Sequence, residues 1–360
     1  MLKTIYWRLA KIKRYINKAA ALKNYNGKYG EQNRKPAYQR FAELLYILLR
    51  YDESSTAYFA QGIDYRGKSV LTDYYPTAVF NKALRKRQRT KNYPEPDYSV
   101  IFEDKLVFEK YFSANNIACA RSEFILMPDL KLFDTAGNCC GYLSDNTSIS
   151  DSFCKPLAGR YGSGAFRLHR KDTTLLVNDQ PLSTVTLALK SPMIIQKRII
   201  QHAALAKFHP QSLNTIRVVS IIDDQQHVSV IAAFFRMGNN GSVVDNASAS
   251  GVVCGVDINS GMLDDTGYMN SGKNVEQLSA HPGSHISFKD SKIPCFEHII
   301  QLVTQAHKAS PWLFSIGWDV ALTEDGPVII EGNEKWGPVS LMWCQPNFIA
   351  MIKTHLNSGA

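Results

Sequence analysis

Asp319, Glu331 and Asn333 stand at a spacing that gathers three oxygen donors at one end of a short hairpin. The apolar run 316–322 holds Asp319, a turn through Glu324-Asp325-Gly326 reverses the chain, and the return run 328–333 carries Glu331 and Asn333 two residues apart. A strand repeats every two residues, so Glu331 and Asn333 share one face. Carboxylates with an amide oxygen are hard ligands that suit Mg²⁺, which keeps several waters and binds phosphate oxygens as well. Zinc is a poor match, because no Cys or His stands at a fitting spacing. An acidic hairpin with glycine is also what a plain solvated turn looks like, and spacing alone leaves both readings open.

A second constellation lies at 153–166, where Lys155 ends an extended run and Gly159, Gly162 and Gly164 follow. Glycines let the backbone approach a ligand closely, and successive N–H groups can hold phosphate oxygens. The order of residues is neither the dinucleotide fingerprint nor a Walker A loop, and an ordinary flexible hairpin is the alternative. Its weight grows beside the acidic hairpin, because a phosphate clamp and a Mg²⁺ site are complementary halves of nucleotide binding. Arg217 follows Asn214-Thr215 on a strong strand pattern, where a guanidinium is costly to bury alone. Its planar donors suit a phosphate or acyl-phosphate, and an ion pair with one of the carboxylates is the alternative. Arg236, ending the next strand, is a similar candidate. His281 and His285 fall in a polar excursion, 255–290, that reads as irregular pocket lining, with His281 a candidate base. His209, beside Pro210, reads as shaping the loop that leads to Arg217, and Asp245-Asn246 as a ribose, metal or acceptor contact or a turn cap.

Taken together, these segments resemble the ATP-grasp superfamily. The wording of His209-Pro210, Asn214-Thr215-Ile216-Arg217, Arg236-Met237-Gly238, Val244-Asp245-Asn246 and Gly317-Trp318-Asp319 is similar to its sugar-transfer-associated branch. The resemblance covers residues 100–345 and implies an α+β fold in which two subdomains clasp ATP. It assigns nucleotide contacts to Lys105 after Asp104, to Lys155 with Gly159, Gly162 and Gly164, and to the hinge residues Gln196, Lys197 and Ile199. It assigns Mg²⁺, replaceable by Mn²⁺, to Asp319, Glu331 and Asn333. The implied reaction is ligation of a carboxylate to an amine through an acyl-phosphate, with Arg217, Lys155, Arg236 and His281 as the catalytic set. The branch's association with polysaccharide biosynthesis points to a sugar-linked or surface-glycan precursor. Peptide or protein ligation, small-molecule phosphorylation, and a non-catalytic partner role in glycan assembly are the rival readings. Lys197 is a departure, since the hinge often carries an acid there, and base recognition is then left to backbone groups.

Elements must position these residues. At 360 residues and 45% hydrophobic, the chain has material for one large domain or two ordinary ones. Helical spacing predicts a well-buried helix over 37–50 and another over 77–89, before a Pro-containing linker at 91–96. A helix over 103–115, mainly antiparallel strands and a helix over 297–308 follow. The expected divisions are a basic helical region (1–93), a small subdomain with the glycine-rich loop (100–195), a large subdomain with the metal and substrate site (196–345), and a tail (346–360). Residues 1–93 carry 20 Lys or Arg against 6 Asp or Glu, so the chain's net +9 is concentrated there. Leu2, Ile5, Tyr6, Leu9, Ile12 and Ile16 recur at helical spacing among basic residues. This stretch, 1–20, reads as packing on the body or a second subunit, or as a contact to an anionic membrane or glycosyltransferase. Nucleic acid is not expected, for want of a reading motif. Seven cysteines without regular spacing, and no secretory signal or long apolar run, read as a cytoplasmic protein.

Overall fold

The computed structural model describes residues 33–53, 56–89, 98–149, 151–159, 164–240, 251–270, 275–345 and 347–357. The described residues start with four helices, α1 (Ala37–Tyr51), α2 (Thr56–Ala60), α3 (Val70–Asp73) and α4 (Thr77–Arg89), followed by α5 (Val100–Glu103) and α6 (Lys105–Ala114). Eight strands come next: β1 (Ser122–Leu126), β2 (Lys131–Asp134), β3 (Cys139–Tyr142), β4 (Asp151–Pro156), β5 (Phe166–Lys171), β6 (Thr174–Val177), β7 (Gln180–Pro181) and β8 (Met193–Lys197). After α7 (Ala203–Ala206) come β9 (Thr215–Ile222), β10 (Val228–Met237), β11 (Val252–Val256), β12 (Leu263–Asn270) and β13 (Val275–Leu278). The chain closes with α8 (Phe296–Lys308), β14 (Ser315–Thr323), β15 (Gly326–Asn333), α9 (Val339–Cys344) and α10 (Phe348–Asn357).

Two antiparallel sheets result, ordered β3-β2-β1-β8-β4-β5-β6-β7 and β13-β12-β11-β10-β9-β14-β15. The fold is the α+β arrangement expected. In the second sheet both faces are covered, and β9 shows how. Ile216 and Val218 enter a core shared with α6 and α8, whereas Val219 and Ile221, pointing the other way, enter a core shared with α2, α4, α9 and α10. The first sheet has its own smaller core around Leu126, Leu168 and Ile195.

Helix α6 begins sharply because the Asp104 carboxylate accepts from Leu106 N at 2.9 Å and Val107 N at 3.0 Å. Phe108 and Phe112, one turn apart, form its buried face, with Phe112 against Trp318. That packing sets the first turn of α6, and hence Lys105, beside the end of β15.

Three sequence expectations change. Helix α1 has the predicted bounds but is not well buried: Ile47 is its one buried residue, and Tyr38 and Leu49 are each 77% exposed. Periodicity reveals a stripe without saying which way it faces. The excursion at 255–290 is only partly irregular, since β12 and β13 extend the large sheet within it while 279–290 runs as turns. The stretch read as a tail contains α10, whose Phe348, Ile352 and Leu356 are buried. The basic helical region is joined to the large sheet, with Gln88 Nε2 donating to Ser315 O at 2.6 Å and Glu334 O at 3.0 Å. The expected linker at 91–96, residues 1–20, Gly162 and Val244-Asp245-Asn246 lie outside the described residues.

Candidate active site

Strand register places the charged groups in a row. Arg217 on β9 stands opposite Asp319 on β14, which stands opposite Glu331 on β15. Arg236 lies two residues beyond Phe234, the β10 partner of Arg217, so it returns to the same face. The Arg217 guanidinium grips the Asp319 carboxylate through two nitrogens, Nε on Oδ1 and Nη2 on Oδ2 at 2.8 Å. Arg236 Nη1 approaches Asp319 Oδ1 at 2.8 Å. The ion-pair alternative for Arg217 is thus what the structure contains. Gly317 is required behind this row, because a Cβ there would sit 2.7 Å from the Trp336 side chain.

Burial pushes the Asp319 pKa up, but the two guanidinium groups outweigh it and hold the carboxyl well below the usual range. Glu331 goes the other way, raised by burial and then by the Asp319 charge. The two carboxyls are hydrogen-bonded, and Asn333 Nδ2 donates to Glu331 Oε1 at 3.3 Å. Two adjacent buried carboxyls whose mutual repulsion raises the Glu331 pKa, beside an amide oxygen, form a hard-oxygen donor set whose charge a divalent cation would offset, so these residues fit Mg²⁺ or Mn²⁺. Among the described residues no group of three or more His, Cys, Asp or Glu forms a metal site. A cation here would therefore rest on two carboxylates, an amide, and oxygens from water or phosphate.

Two lysines reach the same space, Lys155 from β4 of the other sheet and Lys105 from the first turn of α6. Lys105 Nζ donates to Gly159 O at 3.0 Å, and its backbone N to Leu157 O at 3.0 Å, which ties α6 to the glycine-bearing loop after β4. Burial lowers the Lys105 pKa, opposed by the charges of Glu331 and Asp104. Lys155 Nζ donates to Gln196 Oε1 at 3.3 Å across the β4–β8 pair. Gly164 has φ of 77°, a left-handed conformation that glycine adopts freely.

A cavity of about 790 Å³ brings these residues together. Its walls include Lys105, Lys155, Gly159, Gln196, Lys197 and Ile199 on one side, and Arg217, Arg236, Asp319, Glu331 and Asn333 on the other. Gly164 is not part of its lining. His281 is not either: it is fully buried, with Nε2 on Gly238 O at 2.8 Å. Burial lowers its pKa, and it sits in the turn after β13, with its Nδ1 accepting from Gly283 N at 3.2 Å and Ser284 N at 3.3 Å. His209 Nδ1 and Ser212 Oγ lie 3.0 Å apart, and a Cβ on Gly238 would fall 2.6 Å from that ring nitrogen and 2.3 Å from that hydroxyl. This packed cluster supports 210–213, which lines the cavity, so His209 does shape the loop before Arg217.

Sequence reasoning missed further wall residues, namely Lys335, Trp336 and Ser340 beyond the acidic hairpin, and Arg167, which lines the cavity together with Arg198 of the hinge run 196–199. Asp151 holds the latter two, through Arg167 Nε at 2.8 Å and Arg198 Nη1 at 3.0 Å. Lys335, two residues past Asn333, was visible as a continuation of the same alternation.

A family described as sugar-transfer associated ATP-grasp matches residues 84–345. No curated protein matches the chain. Solved structures with related folds include the L-amino acid ligase from Bacillus licheniformis (13% identity, 86% of this chain and 61% of that one, TM-score 0.40). They also include the D-alanine-D-alanine ligase from Helicobacter pylori (12%, 72% and 59%, 0.39). A third is the N5-carboxyaminoimidazole ribonucleotide synthetase from Thermotoga maritima (13%, 72% and 50%, 0.36). The chain spans about half the length of the first such structures it matches.

Proposed function

Because the chain belongs to the sugar-transfer-associated ATP-grasp family, we propose that it joins a carboxylate to an amine at the expense of ATP, with a sugar-linked or surface-glycan precursor as one substrate. ATP-grasp enzymes use ATP and Mg²⁺. The observation that carries the reading is one cavity lined both by Lys105 and Lys155 and by the Asp319–Glu331–Asn333 set.

In this reading a carboxylate oxygen of the substrate attacks the γ-phosphorus and the bond to ADP breaks, giving an acyl-phosphate. The amine nitrogen then attacks the acyl carbon, phosphate leaves with its bonding pair, and the nitrogen gives up a proton. Asp319, Glu331 and Asn333 would hold the Mg²⁺, which when bound offsets phosphate charge. Lys105 and Lys155 place fixed positive charge where phosphates would bind. Gln196 and the backbone of Lys197 and Ile199 present the hinge to the base. Arg217 and Arg236 supply planar donors for the carboxylate and the acyl-phosphate oxygens, which requires them to loosen their hold on Asp319. No cysteine is needed, since the intermediate forms on the substrate.

The test is incubation with ATP, Mg²⁺ and a library of uronic acids and amines, reading ADP release and product mass together. ADP accompanied by a condensed product, lighter by one water than its two parts, is the expected result. A product heavier by one phosphate would assign kinase chemistry, and no ADP with any pair would reject catalysis on these substrates.

A further inference from the structure

Helix α1 buries a narrow face, with Ile47 in the core and Leu44 and Tyr51 packed against it, and leaves a second apolar face outward. Its outward face is formed by Tyr38, Phe41, Ala42, Leu45, Tyr46 and Leu49, and Arg50 is the one charged residue exposed along it. Its polar groups lie toward the body beside that buried face: Glu43 receives Lys35 Nζ at 2.7 Å, Tyr58 OH at 2.6 Å and Gln39 Nε2 at 3.3 Å. Tyr38, Ala42, Leu45 and Leu49 recur at intervals of four, three and four, so the exposed apolar residues form a continuous stripe along the helix. A stripe this long, uninterrupted by polar side chains, is a contact surface.

Charge decides among its occupants. The 32 residues before Asn33 run directly into α1 and carry eight Lys or Arg against the single Glu31. Among the acids of the described helical layer, Glu43, Asp64, Glu53 and Asp73 are already engaged by Lys35, Arg34, Tyr74 and Ser69 N respectively. A second copy laid on this face would bring together two regions with 20 Lys or Arg and 6 acids each. Covering α1 with the chain's own first residues would likewise stack basic segments on a basic layer. An anionic lipid surface answers both properties at once, burying Tyr and Phe side chains at headgroup depth and attracting the adjoining cations. Among the described residues no helix is long and apolar enough to cross a membrane. We propose that the outward face of α1 seats on an anionic bilayer surface, lying in its plane, with the basic residues upstream supplying the long-range attraction. This goes beyond the ligase reading and does not depend on it.

The test uses the full chain with vesicles of phosphatidylcholine, alone or with phosphatidylglycerol. The variant carries Phe41→Gln, Leu45→Gln and Leu49→Gln together, exposed positions where glutamine keeps helix propensity. The expected result is that the wild type sediments with the phosphatidylglycerol vesicles and not with phosphatidylcholine alone. The variant should lose at least about tenfold in vesicle partition, with unchanged circular dichroism and ATP turnover. Added salt should weaken wild-type binding. Equal binding by wild type and variant would overturn the proposal, since upstream residues would then suffice. A wild type that ignores both vesicles would overturn it too, and if that wild type is a dimer which the variant makes monomeric, the face belongs to a second copy.

Discussion

Asp319 and Glu331 face each other across one strand pair, yet they have opposite electrostatic situations, and their substitutions should separate accordingly. Asp319 is charged and gripped by Arg217 and Arg236, so Asp319→Asn leaves two guanidinium groups short of a partner in a buried site. Unfolding in urea should show a loss of about 3–5 kcal/mol. Glu331 has its pKa raised by burial and by the Asp319 charge, so Glu331→Gln, nearly isosteric and free of that repulsion, should shift stability by less than about 1 kcal/mol. Mg²⁺-dependent ATP turnover should nevertheless fall by at least about a hundredfold in Glu331→Gln. Normal turnover in that variant would remove Glu331 from the site. The triad itself was legible from residue type and the two-residue period, because both operate within 15 residues of chain. The grip of Arg217 on Asp319 was legible only as one of two alternatives, since the choice depends on how β9 and β14 are aligned across a separation of 102 residues.

At the level of elements, α6 owes its seat to the absence of a side chain. A Cβ on Gly332 would sit 2.8 Å from the Phe102 ring and 3.2 Å from Phe108, so β15 and the α5–α6 corner meet only because that position is glycine. Gly332→Ala should cost about 1–3 kcal/mol in thermal or urea unfolding and push Lys105 outward, which a weaker nucleotide affinity would reveal. Helix α8 is tied to the large sheet differently. His307 lies fully buried, with Nδ1 2.6 Å from Ser220 Oγ and Nε2 2.9 Å from Leu313 O, and burial takes its pKa from 6.5 to about 4. The unfolded chain therefore binds the extra proton between those values, and stability falls as pH drops through that window, by about 3 kcal/mol. Asp64 has the reverse sign, because burial raises it from 3.8 to about 6 and the folded chain gains stability as pH falls. The contribution of His307 is isolated by comparing urea unfolding of wild type and His307→Gln from pH 7 to 4. The difference should shrink as acid is added, and a constant difference would contradict a neutral buried histidine. Helix bounds such as those of α1 and α4 were readable from periodicity, but the orientation of α1 was not, because an apolar stripe looks the same whether it meets a core or water.

For the molecule as a whole, the family match begins at residue 84, inside α4, yet the layer before it shares a core with the catalytic sheet. Phe80 meets Trp336 edge-on, with ring centroids 5.1 Å apart, and Gln88 clasps the backbone on both sides of the acidic hairpin. A chain starting at residue 84 would bare Val219, Ile221, Phe314 and Trp336, and should be insoluble or expanded by light scattering. A soluble, compact product would show that the layer is dispensable. Composition had marked this region as separate because of its charge, but charge describes a surface and says nothing of the apolar residues beneath it. Trp336 spans both parts, lining the cavity on one side and touching Phe80 on the other. An indole so placed is a natural optical probe: nucleotide titration should change the intrinsic emission of the wild type, the change should vanish in Trp336→Phe, and occupancy can then be followed before any substrate is known.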